Sequence, residues 1–109
     1  MEIYFQYALS DQDAKSRLEV LGKYLENKHG IRVTWQDEKK AKFSGKYLMV
    51  KIEGELNVGN SRAIFKGEDP GFLLRSRAKD YIQGKLAKYL DRYQNPKLVA
   101  FARDVLRLR

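Results

Sequence analysis

The sequence predicts an α+β domain: an antiparallel sheet of about four to five strands with one N-terminal and two C-terminal helices, in the order β-α-β-β-β-β-α-α. Three observations lead there. Period-two alternation of apolar and polar residues recurs in short runs, IYFQYAL, IRVTW and VKIEGELNV. Two longer stretches, one near the start and one after Pro70, repeat apolar residues three and four apart. The breaks between them carry Gly, Asn, Asp and Pro. A length of 109 residues suits one domain with a modest core. Residues 1–93 are read as that domain. Residues 94–109 are read as a basic amphipathic helix packed on it.

In chain order, Ile3, Phe5, Tyr7 and Leu9 alternate with Tyr4, Gln6 and Ala8 as a first strand. Ser10 then caps a helix whose first turn is acidic, through Asp11 and Asp13. Ala14, Leu18, Leu21 and Leu25 form its apolar stripe, Lys28 and His29 occupy its last turn, and Gly30 stops it. Ile31, Val33 and Trp35 make a second strand. Ala41 and Phe43 begin a short third, with Ser44, Gly45 and Lys46 read as the next turn. Leu48, Val50, Ile52, Leu56 and Val58 line one face of a long strand, with Gly54 marking a bulge or a close packing contact. Gly59 and Asn60 form a two-residue hairpin turn, and Arg62 to Lys66 return.

Asp69 is read as the cap and Pro70 as the first residue of a long helix reaching roughly Arg92. Phe72, Ala78, Ile82, Leu86, Tyr89 and Leu90 are its core face, and Gly84 within it calls for a close packing neighbour. Asn95 and Pro96 open the final helix, with Leu98, Phe101, Ala102, Val105 and Leu108 apolar.

Composition narrows function. Apolar residues make up 43% and charged residues 33%, which fits a folded globular chain rather than a disordered one. There is no cysteine, which removes disulfide and thiolate chemistry and suits a reducing cytoplasm, the expected location. No apolar run is long enough for a membrane span, and the N-terminal alternation does not resemble a signal peptide. The net charge is +8 and uneven: residues 1–60 hold 10 Lys/Arg against 9 Asp/Glu, whereas residues 61–109 hold 12 against 5. Such asymmetry points to an anionic partner, with solubility alone as the competing reading.

The chemistry-bearing patterns are few. Arg77, Lys85, Lys88 and Arg92 fall within one arc of the long helix, with Tyr81 among them. Cations interleaved with an aromatic suit phosphate contact and base stacking, or else form a solvated helix face. Lys97, Arg103, Arg107 and Arg109 oppose the apolar residues of the final helix. That pattern suits an anionic surface or a partner, or a helix closing its own core. Glu53 and Glu55 share one strand face beside Lys51 and read as cross-strand ion pairing rather than an acid–base pair. His29 is the lone histidine; with no nucleophile motif and no zinc spacing it reads as structural. Gly67 and Gly71 lack the Lys-Ser/Thr of a phosphate-binding loop. Trp35, Phe43, Tyr47 and Phe65 read as core, with an apolar ligand pocket between sheet and helices as the other reading. No enzymatic residue, metal or cofactor is expected.

At VKIEGELNV and KGEDPGFLLRSRAKDYIQGKLAKYLD the chain resembles the polyhydroxyalkanoic acid system family, small bacterial proteins also described as polyhydroxyalkanoate granule-associated regulators. The likeness extends back through Ala14, Arg17, Leu21, Leu25, Gly30 and Trp35. It implies a cytoplasmic, non-enzymatic accessory of storage-polyester metabolism that binds a granule surface or a coat protein. The residues read for that role are Arg77, Tyr81, Lys85, Lys88, Arg92, Arg103 and Arg107. A nucleic-acid-binding regulator using the same basic helix face is the alternative.

Overall fold

The computed structural model describes residues 1–47 and 50–92. The final-helix prediction over 94–109, with Arg103 and Arg107, lies outside the described residues, as do Leu48 and the side chains of Tyr47 and Val50. The elements are β1 (Glu2–Gln6), α1 (Asp11–His29), β2 (Arg32–Trp35), β3 (Lys40–Tyr47), β4 (Val50–Gly59), β5 (Arg62–Gly67) and α2 (Phe72–Tyr89). All strand pairs are antiparallel, in the spatial order β1-β5-β4-β3-β2. The α+β class therefore holds, with five strands and two helices among the described residues.

Strand register explains the core. Ile3 pairs with Phe65, Phe65 with Leu56, Leu56 with Ala41 and Ala41 with Trp35, so one row of apolar side chains crosses the whole sheet on one face. Both helices lie on that face, α1 over β2 and β4 and α2 over β1. Ala14, Leu18 and Leu21 of α1 and Leu86, Tyr89 and Leu90 at the end of α2 complete the buried cluster. The other sheet face is wet: Glu2 opposes Lys66, Lys66 opposes Glu55, and Glu55 opposes Lys42. On that face Lys40 pairs with Glu55 at 3.8 Å and Lys51 with Glu53 at 3.3 Å, so both carboxylates have ion-pair partners.

The helix α1 forms as its sequence dictates. Ser10 Oγ accepts from Asp13 N at 3.1 Å, and Gly30 closes the helix at φ +68°. The hairpin turn falls one residue later than predicted. Asn60 and Ser61 both take positive φ, 53° and 63°, and the Asp11 carboxylate accepts from both of their amides. That side-chain brace from α1 lets a serine occupy a left-handed position that normally favours glycine or asparagine.

Three glycine predictions resolve differently. Gly45 does not turn the chain: β3 runs through it to Tyr47, and a Cβ there would meet Ile31 Cα at 3.0 Å. Gly54 marks close packing and no bulge. It pairs with Gly67 in unbroken register, and a Cβ would lie 2.7 Å from Lys66 O and 3.0 Å from Phe65 Cζ. The pair of glycines makes room for the Phe65 ring, which stacks on Phe43 at 5.8 Å. Gly84, by contrast, has no neighbour within 4 Å among the described residues, none of which supplies the predicted packing contact.

The start of α2 also differs. Gly71 at φ +98° precedes the first helical residue, Phe72, so Pro70 lies outside the helix. Asp69 accepts from Gly71 N at 2.9 Å and from Arg75 Nε at 2.8 Å, tying the turn to the helix without capping it. These bonds, the one to Arg75 foremost, hold the Asp69 carboxyl below its usual range. The helix ends at Tyr89, not at Arg92.

Candidate functional site: an apolar groove under a basic lip

Among the described residues, helix α2 is packed into the core at its C-terminal end. Leu86, Tyr89 and Leu90 are buried, Ala78 and Ile82 are half-buried, and residues 72–77 are all exposed. Phe72, predicted as core, is 78% exposed, and its neighbour Leu73 is 79% exposed. Period alone cannot show this, because the apolar spacing continues past the point where the helix parts from the sheet.

The anchor is Arg17, which is 4% exposed. From α1 its guanidinium donates to Tyr89 O and Asp91 O at the end of α2 and pairs with Asp13 at 3.4 Å. A cation thus meets carbonyls at the negative end of the α2 dipole. The sequence signal was present but faint: an arginine at the border of an apolar stripe.

Between the lifted half of α2, helix α1 and the sheet lies an apolar groove of about 470 Å³. Its deep end is walled by Leu21, Leu56, Phe65 and Leu86, all buried. Its rim carries Leu74, Arg77, Tyr81 and Lys85 from α2 and His29 from α1. A polar bridge crosses between the helices. Tyr81 Oη lies 3.2 Å from His29 Nε2, and Lys85 Nζ sits 4.4 Å from the Tyr24 ring centroid and 5.5 Å from that of Tyr81. Tyr24 packs edge-on against His29 at 5.8 Å. His29, read as structural, is therefore part of the bridge between α1 and α2.

The predicted basic face divides. Arg77, Tyr81 and Lys85 come together on the groove lip. Lys88 is exposed in the last turn of α2. Arg92 is exposed in the turn beyond it, so helical stepping does not carry to that residue. Among the described residues no carboxylate pairs with Arg77 or Lys85 within ion-pair distance. No group of three or more His, Asp or Glu among them could hold a metal ion. No described helix is long and apolar enough to cross a membrane.

These features define a small α+β domain whose distinguishing surface is a sheet-and-helix groove edged with cations. The family model described as "Putative polyhydroxyalkanoic acid system protein" matches residues 1–93, and the chain belongs to that family. Comparison with curated proteins and with solved structures gave no match.

Proposed function

We propose that the protein is a non-enzymatic accessory of the polyhydroxyalkanoate system that attaches to the surface of a polymer granule, or to its coat, through the raised N-terminal end of α2. The observation that supports this reading is the pair Phe72 and Leu73, almost fully exposed side by side in the first turn. Large apolar groups held clear of the protein's own core are suited to an external apolar surface. Burying both side chains would supply roughly 3–6 kcal/mol. Arg77 and Lys79, exposed nearby, add attraction to an anionic coat.

Co-sedimentation with isolated granules and with washed polymer particles tests it. The double variant Phe72→Asp, Leu73→Asp should fold normally, since neither side chain contributes to the core, and should lose most of its association. Association unchanged in that variant would refute the reading. Binding to a nucleic acid is the second reading, favoured by exposed Arg77 beside a 40%-exposed Tyr81, with exposed Lys88 and Arg92 further along the chain. It predicts a steep loss of affinity for random-sequence DNA or RNA with added salt. Absence of binding even at low salt would remove it.

A further inference from the structure

We propose that the groove between α1, α2 and the sheet is a binding site for a single free acyl chain bearing a carboxylate, the chain lying on the apolar floor and the carboxylate held at the Arg77–Lys85 lip. The site goes beyond surface attachment, which uses the outward side chains of Phe72 and Leu73, and either can fail without the other.

The floor comes first. Leu25, Phe43, Ile52 and Ile82 line the groove, yet each is only half-buried. Apolar area is thus left facing an open channel, while Leu21 and Leu86 close its inner end. A methylene is somewhat smaller than the ~30 Å³ share of a water molecule, so about 470 Å³ has room for a chain of roughly sixteen carbons. The polar groups come second, and they converge at one edge. Arg77, Tyr81 and Lys85 succeed one another at four-residue intervals, so they stand in a row along one side of α2. The His29–Tyr81 contact adds a second donor-bearing side chain from α1. Lys51, whose strand borders the groove, is paired with Glu53 on the outer sheet face, whereas Arg77 and Lys85 have no carboxylate partner among the described residues. An apolar channel with a few convergent polar groups is the usual form of a small-molecule site. Here the unmatched charge is net positive: Arg77 and Lys85 against Glu68, which also lines the groove and has no ion pair among the described residues.

The charge pattern selects the occupant. A neutral polyester chain would bring no counter-charge to the net positive lip, where Lys85 has only the Tyr24 and Tyr81 rings. A bilayer lipid would have to leave its membrane for a groove sized for one chain. A monoacyl carboxylate answers both the floor and the lip.

The test is displacement of a fluorescent fatty acid, cis-parinaric acid, from the full chain by a series of saturated carboxylic acids of increasing length. Affinity should rise about fourfold per added methylene until the groove is filled. The methyl ester of a bound acid should bind roughly tenfold or more weakly, as should the acid itself to Arg77→Glu, Lys85→Glu protein. Ala78→Trp, which fills the groove from its half-buried rim, should abolish displacement while leaving the circular dichroism spectrum and the unfolding midpoint nearly unchanged.

Three results would overturn the proposal. One is no displacement by any acid up to its solubility limit. Another is displacement that persists in Ala78→Trp. The third is concentration-dependent self-association abolished by Ala78→Trp with no acyl binding, which would make a second copy of the chain the occupant. Granule co-sedimentation of Ala78→Trp keeps the two functional readings apart: it should be retained even where acyl binding is lost.

Discussion

Replacing Arg17 by alanine should destabilise the domain by about 2–3 kcal/mol. The magnitude follows from the contacts. Arg17 makes a short bond to Asp91 O and a long one of 3.5 Å to Tyr89 O. Truncation removes this charged donor from both carbonyls at the end of α2, and a hydrogen bond to a charged group is worth about 1.5–3 kcal/mol. The second bond is too long to count fully. Loss of the cation at the negative end of the helix dipole adds about 0.3–1 kcal/mol. The ion pair with Asp13 adds little, because that carboxylate is 37% exposed and 3.4 Å away. Urea unfolding followed by circular dichroism measures the change, and the melting temperature should fall by roughly 10–15 °C. Asp13→Asn is the control and should cost less than about 1 kcal/mol. If Arg17→Ala lies within the error of wild type, Arg17 does not anchor α2. If Asp13→Asn costs as much as Arg17→Ala, the ion pair and not the helix end carries the energy.

Further outcomes are expected from the same structure. Gly84→Ala should stabilise by about 0.5–1 kcal/mol, since the site is helical and open among the described residues; a loss of stability would expose a contact at that face. Gly54→Ala should destabilise by about 1–3 kcal/mol or more, because the added carbon meets the Lys66 carbonyl and the Phe65 ring, and a neutral result in the same unfolding assay would show that β5 can yield. Asp11 is held below its usual carboxylate range by the Tyr7 hydroxyl first and by the Ser61 and Asn60 amides next. A carboxylate lowered in the folded state contributes stability that is complete above its unfolded value near 4 and is lost as pH falls through the lower folded value. Tyr7→Phe should therefore flatten the acid limb of a stability-versus-pH curve, and an unchanged limb would show that the brace is energetically silent. Burial, followed by the bond to Asp11, raises the Tyr7 phenol well above its usual value, so it stays protonated through the neutral range.

What the sequence determined by itself was whatever local rules govern. The α1 caps at Ser10 and Gly30, the alternation of the strands and the polarity of the outer sheet face all follow from backbone geometry and binary pattern. The predicted cross-strand ion pairing holds for Glu55, which meets Lys40, whereas Glu53 pairs with Lys51 of its own strand; position along a strand fixes the wet face but not the partner. The basic row Arg77, Tyr81 and Lys85 was visible in helical spacing.

Tertiary structure decided the rest. Spacing says which residues of α2 share a side but not whether the sheet is there to meet them, so Phe72 and Ile82 looked alike while one is exposed and the other half-buried. Glycine carries several meanings that only neighbours distinguish: Gly54 and Gly45 sit against backbone of another segment, and Gly84 meets no other described residue. The Asn60–Ser61 turn depends on Asp11, forty-nine residues earlier in the case of Asn60, and the anchoring of α2 depends on Arg17, seventy-two residues before Tyr89. The groove exists because two helices are held together at one end and part at the other. That is a property of long-range contacts, whose energies no local window of sequence contains.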